Sequence, residues 1–278
     1  MTELLGFGFF QTALCAATLT GIACSVTGVW IFLLRLAFLG ICISHAAFAG
    51  ALLALLIGQP VFPFAFLFSV LAAAALGPLS DRGSLSPDTS LGILFSAMLG
   101  LAFLFMALLP GSRSAALNLL WGNVLTLDSA DMTVLAVAAS VVLLATILFF
   151  KEIQAVVFSR ELAAASGVRA TAIFYGLLIL CGLVIAACLK AAGGLLVFSL
   201  VLNPAAAARQ LTSRMKTLYL LAALFGVVSG VGGLCISGFF AVPAGASAVL
   251  CSSAIFFICM AVSPKGRDHG REAENVFQ

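Results

Sequence analysis

Long apolar runs follow one another along the chain, and each ends at a short group of charged, proline or glycine residues. A membrane-spanning helix needs about 20 predominantly apolar residues, which is close to the length of most of these runs. The pattern therefore predicts an all-α, polytopic transmembrane helix bundle with about eight to nine spans. The candidate spans cover residues 7–34, 37–57, 61–79, 91–109, 133–150, 171–189, 193–208, 218–236 and 242–262.

Composition supports lipid as the solvent of this chain. Of the 278 residues, 63% are hydrophobic and 8% are charged, whereas a soluble domain carries roughly 25% charged residues. The prediction is a transmembrane domain over residues 1–264 and a polar cytoplasmic tail over residues 265–278. The net charge of +3 is small and its basic residues are dispersed, so no nucleic-acid partner is expected. None of the eight cysteines forms a CxxC pair, which argues against a disulfide framework and a structural zinc site.

Basic residues indicate how the bundle is oriented. Cytoplasmic loops of membrane proteins carry an excess of Lys and Arg. Nine alternating spans with the N-terminus outside and the C-terminus in the cytoplasm leave only Arg113 and Lys190 outside. We expect Lys190 to anchor in the lipid head groups. The remaining basic residues, all predicted to be cytoplasmic, are Arg35, Arg82, Lys151, Arg160, Arg169, Arg209, Arg214, Lys216, Lys265, Arg267 and Arg271.

An ionisable side chain, His45, lies in the middle of the second apolar run. Such a group inside a membrane is a candidate functional residue, because its burial in lipid is costly. Cys42 precedes it by three residues and therefore lies on the same helix face. Imidazole and thiolate both bind zinc and related transition metals. The alternative is a core histidine bonded to a backbone carbonyl, with Cys42 as a packing residue.

The polar stretch 151–170 contains a predicted short cytoplasmic helix. Ser159 is a good N-cap, and Glu161 lies in the first turn, where the helix dipole favours an acid. Gly167 is placed to end the helix in the left-handed conformation. So short a helix is not stable alone and must be docked. It docks either on its own bundle or on a cytoplasmic partner.

The seventh segment, 193–208, is short and opens with two glycines, which favours a tilted or broken helix. Pro204 removes a backbone donor and is expected to bend the helix. Ser199 and Asn203 could then face a cavity, or the bend could serve packing with both side chains paired locally.

Certain motifs are absent from the sequence. It contains no P-loop, no H-E-x-x-H and no acid-rich relay within the spans. The chain therefore cannot power itself with ATP, and the absent acid clusters argue against a membrane-embedded enzyme.

Several segments, taken in order, carry a family resemblance. They are 35–50 (RLAFLGICISHAAFAG), 88–93 (DTSLGI), 120–131 (LWGNVLTLDSAD), 159–168 (SRELAAASGV), 193–209 and 239–250 (FFAVPAGASAVL). Together they resemble the membrane permeases of ATP-binding-cassette importers for zinc, manganese and iron(II). The resemblance implies a transport subunit rather than an enzyme, with ATP hydrolysis in another chain and no cofactor bound by this one. It also implies a homodimer in the bacterial inner membrane, two copies of a cytoplasmic ATPase subunit, and an external metal-binding protein.

The resemblance also implies roles for particular residues. His45 matches the histidine of the family's G-D-x-x-x-H pattern along the metal path, and Pro204 is expected to shape that path. The proposed metal pathway comprises His45, Cys42, Ser44, Asn123, Ser199 and Asn203. The helix that couples to the ATPase comprises Ser159, Arg160, Glu161, Leu162, Ala163 and Gly167.

The chain departs from the family at three acidic positions, which are Ile41, Asn123 and Ala241 here. Oxygen-rich sites suit harder cations such as manganese, so the loss of carboxylates beside His45 and Cys42 favours zinc. The alternatives are a permease for a metal chelate or vitamin, a stand-alone carrier or channel, and a membrane-embedded enzyme.

Overall fold

The computed structural model describes residues 8–82, 86–110, 114–124, 127–194, 196–240 and 242–263. These residues form twelve α-helices and no strand. The helices are α1 (Gly8–Leu33), α2 (Ala37–Ile57), α3 (Val61–Arg82), α4 (Pro87–Leu108), α5 (Ser114–Trp121), α6 (Ser129–Leu148), α7 (Phe150–Phe158), α8 (Arg160–Ala165), α9 (Ala170–Ala192), α10 (Val197–Leu211), α11 (Met215–Phe240) and α12 (Ala244–Val262). The predicted tail, 265–278, and Ala241 lie outside the described residues.

The predicted polytopic helical bundle is confirmed. Among the described residues, 7 helices are long and apolar enough to cross a membrane, namely α1, α2, α4, α6, α9, α11 and α12. Two further predicted spans are also helical: α3 has 22 residues, and α10 has 15 residues. At 1.5 Å per residue α10 is about 22 Å long, less than the hydrocarbon core of a bilayer.

The structure has a helix in the first half of the stretch 151–170, where none was predicted. A helix, α7, occupies Phe150–Phe158 and buries Ile153 and Val156 while Lys151 stays exposed. Ile153 and Val156 lie three residues apart and so share one face of the helix, which docks on the bundle. The short helix α5 was also missed, because its 8 residues are too few to give a clear period.

Close backbone contacts join α1 to its neighbours α10 and α11. A Cβ atom added at Gly28 of α1 would lie 1.7 Å from the carbonyl oxygen of Val201 in α10. A Cβ at Gly21 would lie 2.5 Å from the carbonyl oxygen of Gly226 in α11. Such small-residue contacts let helices pack where lipid removes the hydrophobic drive for association. These three helices form the tightest part of the bundle.

Helix α4 lies at the periphery and packs mainly on α2. Only 11% of its most apolar stretch is buried, against 72% for the corresponding stretch of α2. The central helix α2 is thus held on several sides, whereas α4 covers one of its faces and is otherwise exposed.

Candidate functional site

The hydrogen bond made by His45 determines which of its ring nitrogens keeps a lone pair that can bind a ligand. Its Nδ1 lies 3.0 Å from the carbonyl oxygen of Ile41, one turn earlier in α2. A carbonyl can only accept, so Nδ1 carries the proton and a neutral ring keeps its lone pair on Nε2. No described residue hydrogen-bonds to Nε2. The backbone bond expected of a core histidine is therefore present, and it also leaves the ring in the form that binds metal ions.

An aromatic side chain of α4 covers this part of α2. The Phe95 ring lies edge-on to His45 with the ring centroids 4.8 Å apart, and edge-on to Phe38 at 5.5 Å. Phe38, Cys42 and His45 follow one another at helical spacing and so share one stripe of α2. Cys42 is 1% exposed. The structure thus places the thiol and the imidazole on the face of α2 that Phe95 closes.

Removing the Phe95 ring should expose this stripe. Each edge-to-face pair contributes about 0.5–1.5 kcal/mol, so losing two should favour separation of α4 from α2 roughly tenfold. We expect Phe95→Ala to speed modification of Cys42 by a charged methanethiosulfonate reagent by about that factor. Peptide mass spectrometry measures the labelling at Cys42. Phe103→Ala is the control, because Phe103 lies on the same helix and is 62% exposed; equal rates in the two variants would contradict the prediction.

Ser44 lies on a different face of α2. Its neighbours on that face are Gly40, whose added Cβ would meet the Phe198 ring, and Phe48, which lies against Gly194. Ser44 therefore faces the start of α10. Its Oγ is fully buried and has no hydrogen-bond partner among the described residues.

A junction of glycines packs against Phe48, one turn along α2 from His45. The Gly194 N–H donates to the Leu119 carbonyl at 2.9 Å, and a Cβ at Gly193 would lie 2.5 Å from the Gly122 nitrogen. Gly122 and Gly193 have φ angles of 72° and 87°, in the left-handed region that favours glycine. Sequence reasoning missed this junction, although the Gly193–Gly194 pair was its signal.

Asn123 directly follows Gly122 in this junction. Its backbone N–H donates to the carbonyl of Lys190 at 2.9 Å, which fixes the residue at the C-terminal end of α9. The structure therefore places Asn123 beside the glycine contact that packs on Phe48. Its assignment to a metal pathway stays a prediction.

Asn203 is directed towards α12. Its Nδ2 donates to the hydroxyls of Ser252 at 3.1 Å and Ser253 at 3.0 Å, so it joins α10 to α12. Ser199 is half-buried one turn earlier in α10. Pro204 lies inside α10 and removes the bond that its nitrogen would otherwise donate to the Leu200 carbonyl. The contacts of Asn203 match the packing alternative raised from the sequence, and a pathway role for these residues stays a prediction.

Lys190 is held by an acid rather than reaching freely for head groups. Its Nζ lies 2.6 Å from Oδ1 of Asp131, at the start of α6. Asp131 also forms a capping box with Asp128. The backbone N–H of Asp131 donates to the Asp128 carboxylate, and this bond lowers the pKa of Asp128 below its ordinary value. The sequence could not pair these residues, because they are 59 positions apart.

The short helix α8 is capped at both ends as predicted. Ser159 Oγ accepts from the Leu162 N–H at 3.3 Å. At the other end Gly167 has a φ of 85°, its N–H donates to the Ala164 carbonyl, and the Val168 N–H donates to the Ala163 carbonyl. This is a Schellman motif, which satisfies the last carbonyls of the helix.

One face of α8 is docked on the bundle and the other is open. Ala163 is 2% exposed, and the Arg160 guanidinium lies 4.0 Å from the centre of the Phe174 ring in α9. Glu161 and Leu162 are exposed, and Leu162 keeps 62% of its surface accessible. The helix thus docks on its own bundle through one face, and its other face is exposed.

Comparison with known proteins gives the context of these features. Residues 6–263 match the description of the ABC 3 transport family. The chain belongs to this family. The family match covers all twelve described helices, so the resemblance drawn from the sequence is confirmed. The chain is the multi-pass membrane subunit of an ATP-binding-cassette transporter and not itself an enzyme.

Relatives align with this permease over most of its length. The manganese transport system membrane protein MntC of Halalkalibacterium halodurans is 36% identical over 263 residues, covering 95% of this chain and 90% of MntC. The high-affinity zinc uptake system membrane protein ZnuB of Haemophilus influenzae is 30% identical over 248 residues, covering 88% and 95%. The solved structure of PsaBC from Streptococcus pneumoniae in complex with Fab superposes with a TM-score of 0.87 at 30% identity, covering 96% of both chains.

The described part of the permease holds no group of three or more His, Cys, Asp or Glu residues able to enclose a metal ion. The chemistry within the spans is therefore sparse: one imidazole with a directed lone pair, one thiol on the same stripe, and the buried hydroxyl of Ser44. Such a set suits brief contact with a passing ligand better than tight retention.

Proposed function

We propose that this permease moves a divalent transition metal ion inward across the bacterial inner membrane, by alternating access driven by ATP hydrolysis in a separate subunit. The observation that carries the proposal is the position of His45, whose Nε2 lone pair is free on a central span of a chain in this transport family. The metal is cargo, so weak and transient coordination is sufficient. His45 is assigned to that coordination, with Cys42 beside it.

The comparisons and the residues support different ions. Relatives named for manganese transport reach 36% identity, and one named for zinc uptake reaches 30%. Manganese is therefore the first candidate. Zinc is the second, because Ile41 and Asn123 replace the expected acids and leave a nitrogen and sulfur donor set, which suits zinc better than manganese.

Uptake of radiolabelled manganese and zinc, measured in cells with and without the protein and its partners, tests the cargo. Manganese uptake that depends on the permease and resists excess zinc supports the first candidate. The reverse pattern supports zinc, and uptake of neither ion contradicts the proposed function.

The proposed assembly has two copies of this permease, two copies of the ATPase subunit and an external metal-binding protein. The N-terminus lies outside and the C-terminus in the cytoplasm, an orientation supported by the distribution of basic residues. In this orientation α7 and α8 face the cytoplasm. The exposed face of α8, with Glu161 and Leu162, contacts the ATPase, while Ser159, Arg160, Ala163 and Gly167 build and dock the helix.

A charge on the exposed face of α8 should weaken this contact. We expect Leu162→Glu to lower co-purification of the ATPase subunit about tenfold, since burying an unpaired charge at the centre of an interface removes more than roughly 1.4 kcal/mol of binding. A pull-down with quantified subunits measures the effect. Leu211→Glu is the matched control, because Leu211 is also exposed, at 38%, and lies outside α8. Unchanged recovery with Leu162→Glu would refute the docking role.

A further inference from the structure

A large cleft opens where the ends of several helices meet, beside α8. Its volume is about 1500 Å³, and it is bounded by the α1–α2 turn, the α7–α8 turn, the start of α9 and the α10–α11 linker. The described residues that line it include three arginines, Arg35, Arg160 and Arg209, and one acid, Glu161. We call it the basic cleft. A positive cleft of this size repels metal cations and fits an anionic ligand far larger than a simple ion.

Arg35 occupies a backbone position that glycine usually takes. Its φ is 58°, its N–H donates to the Phe32 carbonyl, and the Leu36 N–H donates to the Ile31 carbonyl. These two bonds form a Schellman motif with arginine at the left-handed residue. A side chain held in a disfavoured conformation points to a use for that side chain. The guanidinium is exposed and pairs with no described carboxylate.

The other two arginines make contacts with the chain itself. The guanidinium carbon of Arg160 lies 4.0 Å from the centre of the Phe174 ring, a cation–π contact. Arg209 donates to the Thr212 carbonyl at 3.1 Å and to the Ser213 hydroxyl at 2.8 Å. The cation–π contact with the neutral Phe174 ring holds Arg160 in place and leaves its charge uncompensated. The cleft therefore presents oriented guanidinium donors of the kind that bind phosphate.

Apolar side chains form much of the rest of the wall, beside the polar Gln154, Ser159 and Ser213. The apolar residues include Phe32, Leu33 and Met215, together with Phe158, which is 84% exposed. The cleft lies where α1 ends and α2 begins, which is the level of the lipid head groups for two spanning helices. Guanidinium groups beside an apolar wall at that depth match a phosphate joined to acyl chains.

We propose that the basic cleft binds the phosphate head group of an anionic phospholipid, with its acyl chains along the apolar wall. Arg35 and Arg160 are the principal contacts. The site does not depend on which ion the permease carries. Glu161 lines the cleft but Leu162 does not, so lipid in the cleft and a partner on Leu162 can be bound together.

The test measures lipid binding to the full permease, purified with its ATPase subunit, by native mass spectrometry with phosphatidylglycerol or phosphatidylcholine added. Arg35→Gly removes the guanidinium and suits the backbone angle, so it should fold well. We expect Arg35→Gly with Arg160→Gln to lower phosphatidylglycerol affinity about tenfold or more, from the loss of two charges near the membrane surface. Phosphatidylcholine binding should not change.

Arg214→Gln is the matched control, because Arg214 lies in the α10–α11 linker and does not line the cleft. It should bind phosphatidylglycerol as the unchanged protein does. Equal affinity for the two lipids, or an undiminished affinity in the double variant, would overturn the proposal. Loss of the ATPase subunit with lipid binding intact would also overturn it and would assign the arginines to a protein partner. Competition by inorganic phosphate alone, without any preference for the lipid, would assign the cleft to a free anion.

Discussion

Metal uptake by the assembled importer is expected to fall at least tenfold when His45 is replaced by alanine. His45 supplies the one imidazole within the described spans, and its Nε2 is the donor that no described residue engages. Changes in the groups that merely support a ligand already lower metal affinity about 10–100-fold, so removing the donor itself should do at least as much. Initial rates of ATP-dependent uptake into proteoliposomes measure the effect.

The other histidine of the chain, His269, provides a control for this experiment. His269 lies in the polar tail, so His269→Ala should transport normally. Comparable thermal midpoints for the two variants would show that the bundle is intact. Normal transport by His45→Ala would remove the role assigned to this residue, while leaving the membership of the transport family untouched.

We expect Gly28→Ala to lower the stability of the bundle strongly. The added Cβ would lie 1.7 Å from the Val201 carbonyl oxygen, so α1 and α10 must move apart. Overpacking typically costs about 1–3 kcal/mol, and a clash between two backbones should reach the upper end of that range. For a chain of this length, that loss lowers the midpoint of thermal unfolding by roughly 10 °C.

Gly176→Ala is the control, because it adds the same methyl group to a helix without a steric clash. A Cβ at Gly176 of α9 would meet nothing within 4 Å. Gly176→Ala should therefore stay within about 3 °C of the unchanged protein, since the gain in helix propensity is below roughly 1 kcal/mol. Thermal unfolding followed by fluorescence in detergent compares the two variants. Similar midpoints would contradict the close α1–α10 contact.

The sequence predicted those features that depend on local chemistry. The second span was placed at its observed limits, Ala37–Ile57, because Arg35 and the Gly58–Gln59–Pro60 turn interrupt the apolar run. The caps of α8 followed from Ser159 and Gly167 for the same reason. The helix α7 was not predicted in this way, because the burial of its two buried residues depends on the bundle that packs against them.

Contacts between distant segments lay beyond the sequence. No local pattern indicates that Phe95 covers His45, that Asp131 binds Lys190, or that Arg35, Arg160 and Arg209 line one cleft. The sequence did identify His45 and Cys42 as candidates, because ionisable groups are costly in lipid. It could not show which nitrogen of His45 is free, since that depends on the position of the Ile41 carbonyl.

The peripheral position of α4 has a consequence for hydrogen exchange. Segments with few buried contacts open at a small fraction of the free energy needed to unfold the whole protein. Helix α4 buries 11% of its most apolar stretch, so it should form a separate unit that detaches while α1, α10 and α11 stay together. Its amides should then exchange faster than those of α2. Detachment of α4 would also expose the imidazole of His45 to solvent without opening the core of the bundle.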